Sequence, residues 1–189
     1  MNTFYQAALN IAERKLFRDS EPTKLASPRL GTGGTFVDIF LWDTAFSTFW
    51  ARYHADRFPV AASLDNFYRC QTSEGFISRQ IRPDGISKWA ADSTLGFAPP
   101  LLAWAELELE PYVPGRLAKV FEPLLRQHRF NLEHFRRPDG LFSATAGDAA
   151  WIICRVGIRG AKWFVRAEFR SLAMQLPRRG KLATLYLNG

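Results

Sequence analysis

Residues 40–53 read FLWDTAFSTFWARY. Trp42, Phe46, Phe49, Trp50 and Tyr53 recur at intervals of three and four, the period that lines one face of an α-helix. The spacing predicts a helix opening near Trp42, with Asp43 in its first turn. Two roles fit that carboxylate. It can act as an N-cap or first-turn acid, favoured by the unpaired N–H groups and the positive end of the helix dipole. It can also act with Trp42 on a sugar: an aromatic face stacks on the C–H face of a pyranose, and a carboxylate accepts charge-assisted hydrogen bonds from neighbouring hydroxyls.

Outward from this stretch the long periodic segments are helical. Thr3 and Gln6 have the spacing of a capping box, ahead of a helix with Phe4, Ala8, Ile11 and Leu16 on its apolar face. Pro22, Pro28, Gly31, Gly33 and Gly34 make residues 18–36 a loop. Pro59 opens a third helix from Val60 to Tyr68, and Glu74-Gly75 closes it. Residues 75–92 read as loop with a short strand at Phe76–Ile81. A fourth helix is expected over 93–110, burying Leu101, Leu102, Trp104 and Leu107. A fifth is expected over 116–135, with Leu117, Val120, Phe121, Leu124, Leu125, His128, Leu132 and Phe135 in one stripe and a kink or break at Pro123. Arg82-Pro83-Asp84-Gly85 recurs 55 residues later as Arg137-Pro138-Asp139-Gly140. The pair is either two ordinary turns or the repeated loop of a helical-hairpin array. The body therefore reads as all-α, built of helix pairs.

Composition narrows the function classes. At 189 residues and 47% hydrophobic the chain can bury a core and is no disordered tail. No apolar run approaches the roughly 20 residues that span a bilayer, so no membrane partner is expected. The N-terminus lacks a basic start followed by an apolar block. Cys70 and Cys154 form no metal-ligand spacing and no disulfide framework, which fits a reducing cytoplasm. The formal charge of +7 suggests nucleic acid until it is located. Of 25 Lys/Arg and 18 Asp/Glu, residues 147–189 hold eight and two, which leaves 17 and 16 for the body. The basicity belongs to the tail, and no nucleic-acid partner is expected. His54, His128 and His134 have no ligand partners at metal spacing, and Glu106, Glu108 and Glu110 read as a solvated face.

Four segments in order carry a resemblance. They are WDTAF at 42–46, GFISRQI at 75–81, KWAADSTLGFAPPLLAWAELE at 88–108 and FRRPDGLF at 135–142. Together they resemble the six-hairpin glycosidases, nearest to glycoside hydrolase family 63 and the mannosylglycerate/glucosylglycerate hydrolases, with trehalases more distant. In those enzymes a Trp-Asp pair opens a helix and binds the sugar at the cleaved position. A Gly-Phe-Ile-type loop, a helix near a Pro-Pro pair (here Pro99-Pro100) and a PDGL turn follow. The resemblance spans residues 1–146. It implies a partial (α/α)6 toroid, with hydrolysis of an α-glycosidic bond in a small glucoside or mannoside, such as a conjugate of glycerate, and no metal or organic cofactor. By position it makes Trp42 and Asp43 the sugar-binding pair and puts Arg79, Gln80 and Trp89 on loops facing the cavity. Taken alone, those three residues read equally as solvated loop positions. The rival class is a non-catalytic helical module that binds carbohydrate or protein.

The resemblance also implies an inverting pair of carboxylates roughly 6.5–9.5 Å apart. The acid is expected in a Gly-Met-Asp-Asn-x-Pro-Arg-like segment after the PDGL turn. Residues 147–189 contain no such segment, so neither catalytic carboxylate is assigned, and three helical hairpins stand where a ring needs six. Its last helices are then expected to expose apolar surface. Reading the third base of each codon with the next two gives a cause. Trp151–Ile152 must encode Asp in that frame, and codons exist by which its neighbours spell Cys-Gly-Met-Asp-Asn-Met-Pro-Arg-Trp. The tail is therefore expected to be a frameshifted translation. Sequencing the encoding DNA from about codon 140 tests this. The shifted frame should stay open and spell that segment, whereas other third bases at these codons would refute it.

Overall fold

The computed structural model describes residues 3–20, 23–33 and 36–142, so the tail from 147 lies outside the described residues. Five helices carry the fold: α1 (Thr3–Arg14), α2 (Leu41–Ala51), α3 (Val60–Arg69), α4 (Leu101–Leu109) and α5 (Arg116–His134). The body is helix-rich, but the expectation of an all-α chain needs correction. Two small antiparallel ladders are present, β1 (Leu16–Phe17) with β2 (Arg29–Leu30), and β3 (Ile39–Phe40) with β4 (Gln80–Ile81). The expected strand at 76–81 contracts to its last two residues. No helix among the described residues is long and apolar enough to cross a membrane.

The sequence pattern places α2 correctly and misjudges its buried face. Leu41, Thr44, Ala45, Thr48 and Ala51 are buried, and α2 packs chiefly on α4, where Phe49 also meets Trp104 with ring centres 4.2 Å apart. The large aromatics are less covered: Trp42 and Phe46 are half-buried, Trp50 is 36% exposed and Tyr53 58%. Small side chains let two helix backbones approach closely, and the bulky ones wrap the rim. The same inversion occurs in α1, where Leu9 and Ala12 are buried while Phe4 is 86% and Ile11 51% exposed. The expected capping box is not made. Thr3 is already helical, and the Gln6 amide donates forward to Asn10 Oδ1 at 3.0 Å.

Pro99-Pro100 divides the expected fourth helix. Proline donates no N–H and pushes the residue before it out of the α region. A single 3-10 turn at Thr94–Gly96 therefore precedes the pair, and α4 begins after it. Pro123, by contrast, does not break α5. Val120, Leu124 and Leu125 are buried on both sides of it, and their burial exceeds the roughly 3 kcal/mol that a mid-helix proline costs. Beyond it the buried positions are Gln127, Phe130 and Asn131, not the expected His128 and Leu132, because Phe130 joins Phe76 and Phe135 in a second small core. Gln71 Nε2 donates to the Pro123 carbonyl at 2.8 Å. Gly75, at φ 110, lies so close to α5 that a Cβ there would sit 2.4 Å from the Arg126 carbonyl oxygen.

The solvated-face reading of the glutamates is overturned. Glu106 is fully buried in the middle of α4. It receives Tyr68 Oη at 3.0 Å, Arg116 Nε at 2.9 Å and Arg116 Nη2 at 2.6 Å. Arg116 also donates to Asp65 at 2.7 Å, and Lys119 to the other Asp65 oxygen at 2.8 Å. Two carboxylates and two cations thus close a neutral cluster across α3, α4 and α5. Glu108 pairs with Arg52, and Glu110 accepts the backbone N–H groups of Gly115 and Leu117, capping α5. A period-3.6 pattern cannot distinguish a buried, compensated acid from a solvated one.

Removing one partner of such a cluster strands a bare charge in the core. Arg116→Met is expected to cost about 3–5 kcal/mol in urea unfolding at pH 8. The loss should shrink toward pH 4.5, where protonating Glu106 removes the bare charge, and Glu106→Gln in the same background should recover part of it.

Candidate functional site

The β3–β4 ladder builds the site from two distant segments. Phe40 pairs with Gln80 and Ile39 with Ile81, and the first N–H of α2, on Leu41, donates to the Arg79 carbonyl at 2.9 Å. That bond satisfies one of the orphan donors of the helix start, and it sets Trp42-Asp43 beside Arg79-Gln80. Lys88 N–H then donates to the Gln80 carbonyl at 3.0 Å, which folds the following loop back so that the Arg79 guanidinium lies 5.1 Å from the centre of the Trp89 ring. Gly96 makes room for this loop: a Cβ there would lie 2.8 Å from the Phe76 ring and 3.2 Å from Trp89 Cβ. The five expected positions, Trp42, Asp43, Arg79, Gln80 and Trp89, are thus linked through three short segments. Their roles toward a ligand are a separate matter.

The side chains differ in what they leave available. Trp42 is half-buried and packs in part on the core. Gln80 Nε2 donates to Asp38 Oδ2 at 2.7 Å, so its amide is already engaged. Asp43 is the third residue of α2 and not its N-cap, which is Phe40. Burial raises the Asp43 carboxyl above the usual aspartate value, and its own backbone N–H and the charge of Lys15 only partly offset this. Asp38, Lys15 and the exposed Phe36, which packs edge-on to Phe40 at 5.7 Å, are the neighbours that sequence reasoning missed. Strand register and tertiary approach bring Asp38 to Gln80 and Lys15 to Asp43, and neither has a local signal.

The histidines play other parts. His54 is hydrogen-bonded to Tyr5 Oη, and His134 stacks on Phe130 with ring centres 4.0 Å apart. His128 is half-buried, and its pKa is lowered by burial and by the neighbouring Arg129. Among the described residues no three His, Cys, Asp or Glu side chains gather as a metal site.

The two Arg-Pro-Asp-Gly segments form the same turn. Gly85 N–H donates to the Arg82 carbonyl at 2.9 Å and Gly140 N–H to that of Arg137 at 2.8 Å; the glycines take φ 79 and 77. Asp84 and Asp139 each accept the N–H two residues on at 2.9 Å, and the bridges Ile81–Ser87 and Arg136–Phe142 close both hairpins at equivalent positions.

Comparison with protein-family models, with curated proteins and with solved structures found no match.

Asp43 carries a pH signature. Its folded pKa is raised, so the fold binds its proton more tightly than the unfolded chain does. Stability tied to it is greatest below the unfolded value near 3.9 and falls as pH rises through the folded pKa. Asp43→Asn is therefore expected to raise Tm at pH 7, by about 2 °C, and to leave it unchanged at pH 3. Differential scanning calorimetry at the two pH values checks this, and a lower Tm at pH 7 would assign Asp43 to holding the helix start.

Proposed function

We propose that this chain carries the sugar-binding end of a glycoside-hydrolase-like helical scaffold. Its activity class is hydrolysis of an α-glycosidic bond in a small glucoside or mannoside. The observation that carries the reading is the Leu41–Arg79 backbone bond with the β3–β4 ladder. It sets the backbone of the Trp42-Asp43 helix start beside that of Arg79-Gln80, and the Arg79 guanidinium lies over Trp89; the half-buried carboxylate, the two indoles and the guanidinium are proposed as one binding set. That set suits a pyranose: flat apolar faces for the C–H surface, and charged groups for paired hydroxyls.

Two further features support it. Asp43 stands in a partly desolvated position that raises its pKa, and a hydrogen-bonding hydroxyl there would compensate its charged form. Successive inner and outer helices would have to alternate in a partial (α/α)6 toroid, and α2 packs on α4, its second neighbour in sequence, more than on α3. Hydrolysis needs an acid and a base on opposite sides of the glycosidic bond. Asp43 is given the role of binding, not of proton transfer, and neither of those two carboxylates is assigned.

Isothermal titration calorimetry with methyl α-glucoside and methyl α-mannoside tests the reading. One of them should bind, and Asp43→Ala should weaken it at least tenfold, about 1.4 kcal/mol. Binding that is unchanged in Asp43→Ala, or absent for both sugars at tens of millimolar, would overturn it.

A further inference from the structure

A second concavity lies on the outward side of α2. It is a groove of about 610 Å³ between α1 and the end of α2, with Ile11, Tyr5 and Lys15 among its walls on one side and Trp50, Tyr53 and His54 on the other. Its volume is in the range of small-molecule sites, and its lining is mostly apolar. Its hydrogen-bonding groups are partly spent on each other, since Tyr5 Oη is bonded to His54 Nε2. Aromatic and aliphatic surface that a folded chain would normally cover stays open here: Ile11 is 51% and Tyr53 58% exposed.

Asp43 is not among the groove's walls, but two relations link it to them. Lys15, in its wall, stands close enough to Asp43 for its charge to act on that carboxyl. Trp50 follows Asp43 by seven residues, two turns of α2, so the two side chains project from the same face about 10 Å apart along the axis. The far side of that helix is the buried Leu41, Ala45 and Thr48 stripe.

We infer that the α1–α2 groove is the subsite for the leaving group of the glycoside and selects an alkyl or aryl aglycone over a small polar one. This rests on the sugar reading of Asp43. With the pyranose at Asp43, a substituent of six to eight carbons running along α2 reaches Trp50 and is removed from water between Ile11 and the Trp50 and Tyr53 rings. The transfer of each added methylene from water to this surface supplies the discrimination.

Calorimetric titration with methyl and hexyl α-glycosides of the same sugar, and with 1-hexanol alone, tests it on the full chain. The hexyl glycoside should bind at least tenfold more tightly than the methyl glycoside. Ile11→Ser, a change at an exposed position, should remove most of that difference and leave methyl glycoside affinity and the far-UV circular dichroism spectrum unchanged. Equal affinity of the two glycosides overturns the subsite while the sugar reading stands. If neither glycoside binds, both fall. Hexanol binding that matches the hexyl glycoside, or loss of the difference on dilution together with a fall from dimer to monomer mass in light scattering, assigns the groove to an apolar ligand or a second copy of the chain, and overturns the proposal.

Discussion

The buried pair of Glu106 and Arg116 is the constraint around which the helices are arranged. An ionised glutamate in a desolvated core is stable only if its oxygens are all claimed, and here they are, by a bidentate guanidinium and a tyrosine hydroxyl. Since Arg116 is the first residue of α5 and Tyr68 nearly the last of α3, satisfying one charge fixes where one helix ends and another begins. Asp65 and Lys119 complete the neutrality. A hydrophobic contact tolerates sliding by an ångström, but a bidentate ion pair does not. The cluster therefore contributes register between helices more than it contributes stability.

A similar device holds the entry to α2. Arg29, almost fully buried, pairs with Asp19 and lies 4.6 Å from the centre of the Phe17 ring. The hydrogen bond from Arg29 holds the Asp19 carboxyl below the usual aspartate range, against the opposing effect of burial. Ser63 and Asn66 on α3 accept the backbone N–H groups of Leu30 and Ala26, so the long connection from α1 is stapled to the core before it reaches β3. The candidate site depends on this stapling, because β3 leads directly into Trp42-Asp43.

Helix positions were legible in the sequence because apolar spacing reports the elements that a core needs. The central segments 42–51, 60–68 and 116–134 emerge near their expected limits, and the turn chemistry of both Pro-Asp-Gly segments was visible. Which face is buried was less legible. In α1 and α2 the bulky residues marked a stripe, yet the buried positions include Ala12, Ala45 and Ala51, whose small side chains carry little hydrophobic signal. Glu106 was misread for a related reason: its partners Tyr68 and Arg116 are 38 and 10 residues away, and compensation of a charge is a tertiary property. At the site, the sequence marks the segments around Trp42-Asp43, Arg79-Gln80 and Trp89, but the approach of Asp38 to Gln80 and of Lys15 to Asp43 depends on register and on loops crossing, which no period encodes.

The paired turns at 82–85 and 137–140 are closed by local bonds, each among seven consecutive residues. Structures of that kind form in microseconds, well before contacts such as Tyr68–Glu106 can be found. During synthesis the first turn can close before α4 has been made, and the second as soon as α5 has emerged. The chain is thus divided in time as well as in space, at two points that reverse its direction by themselves.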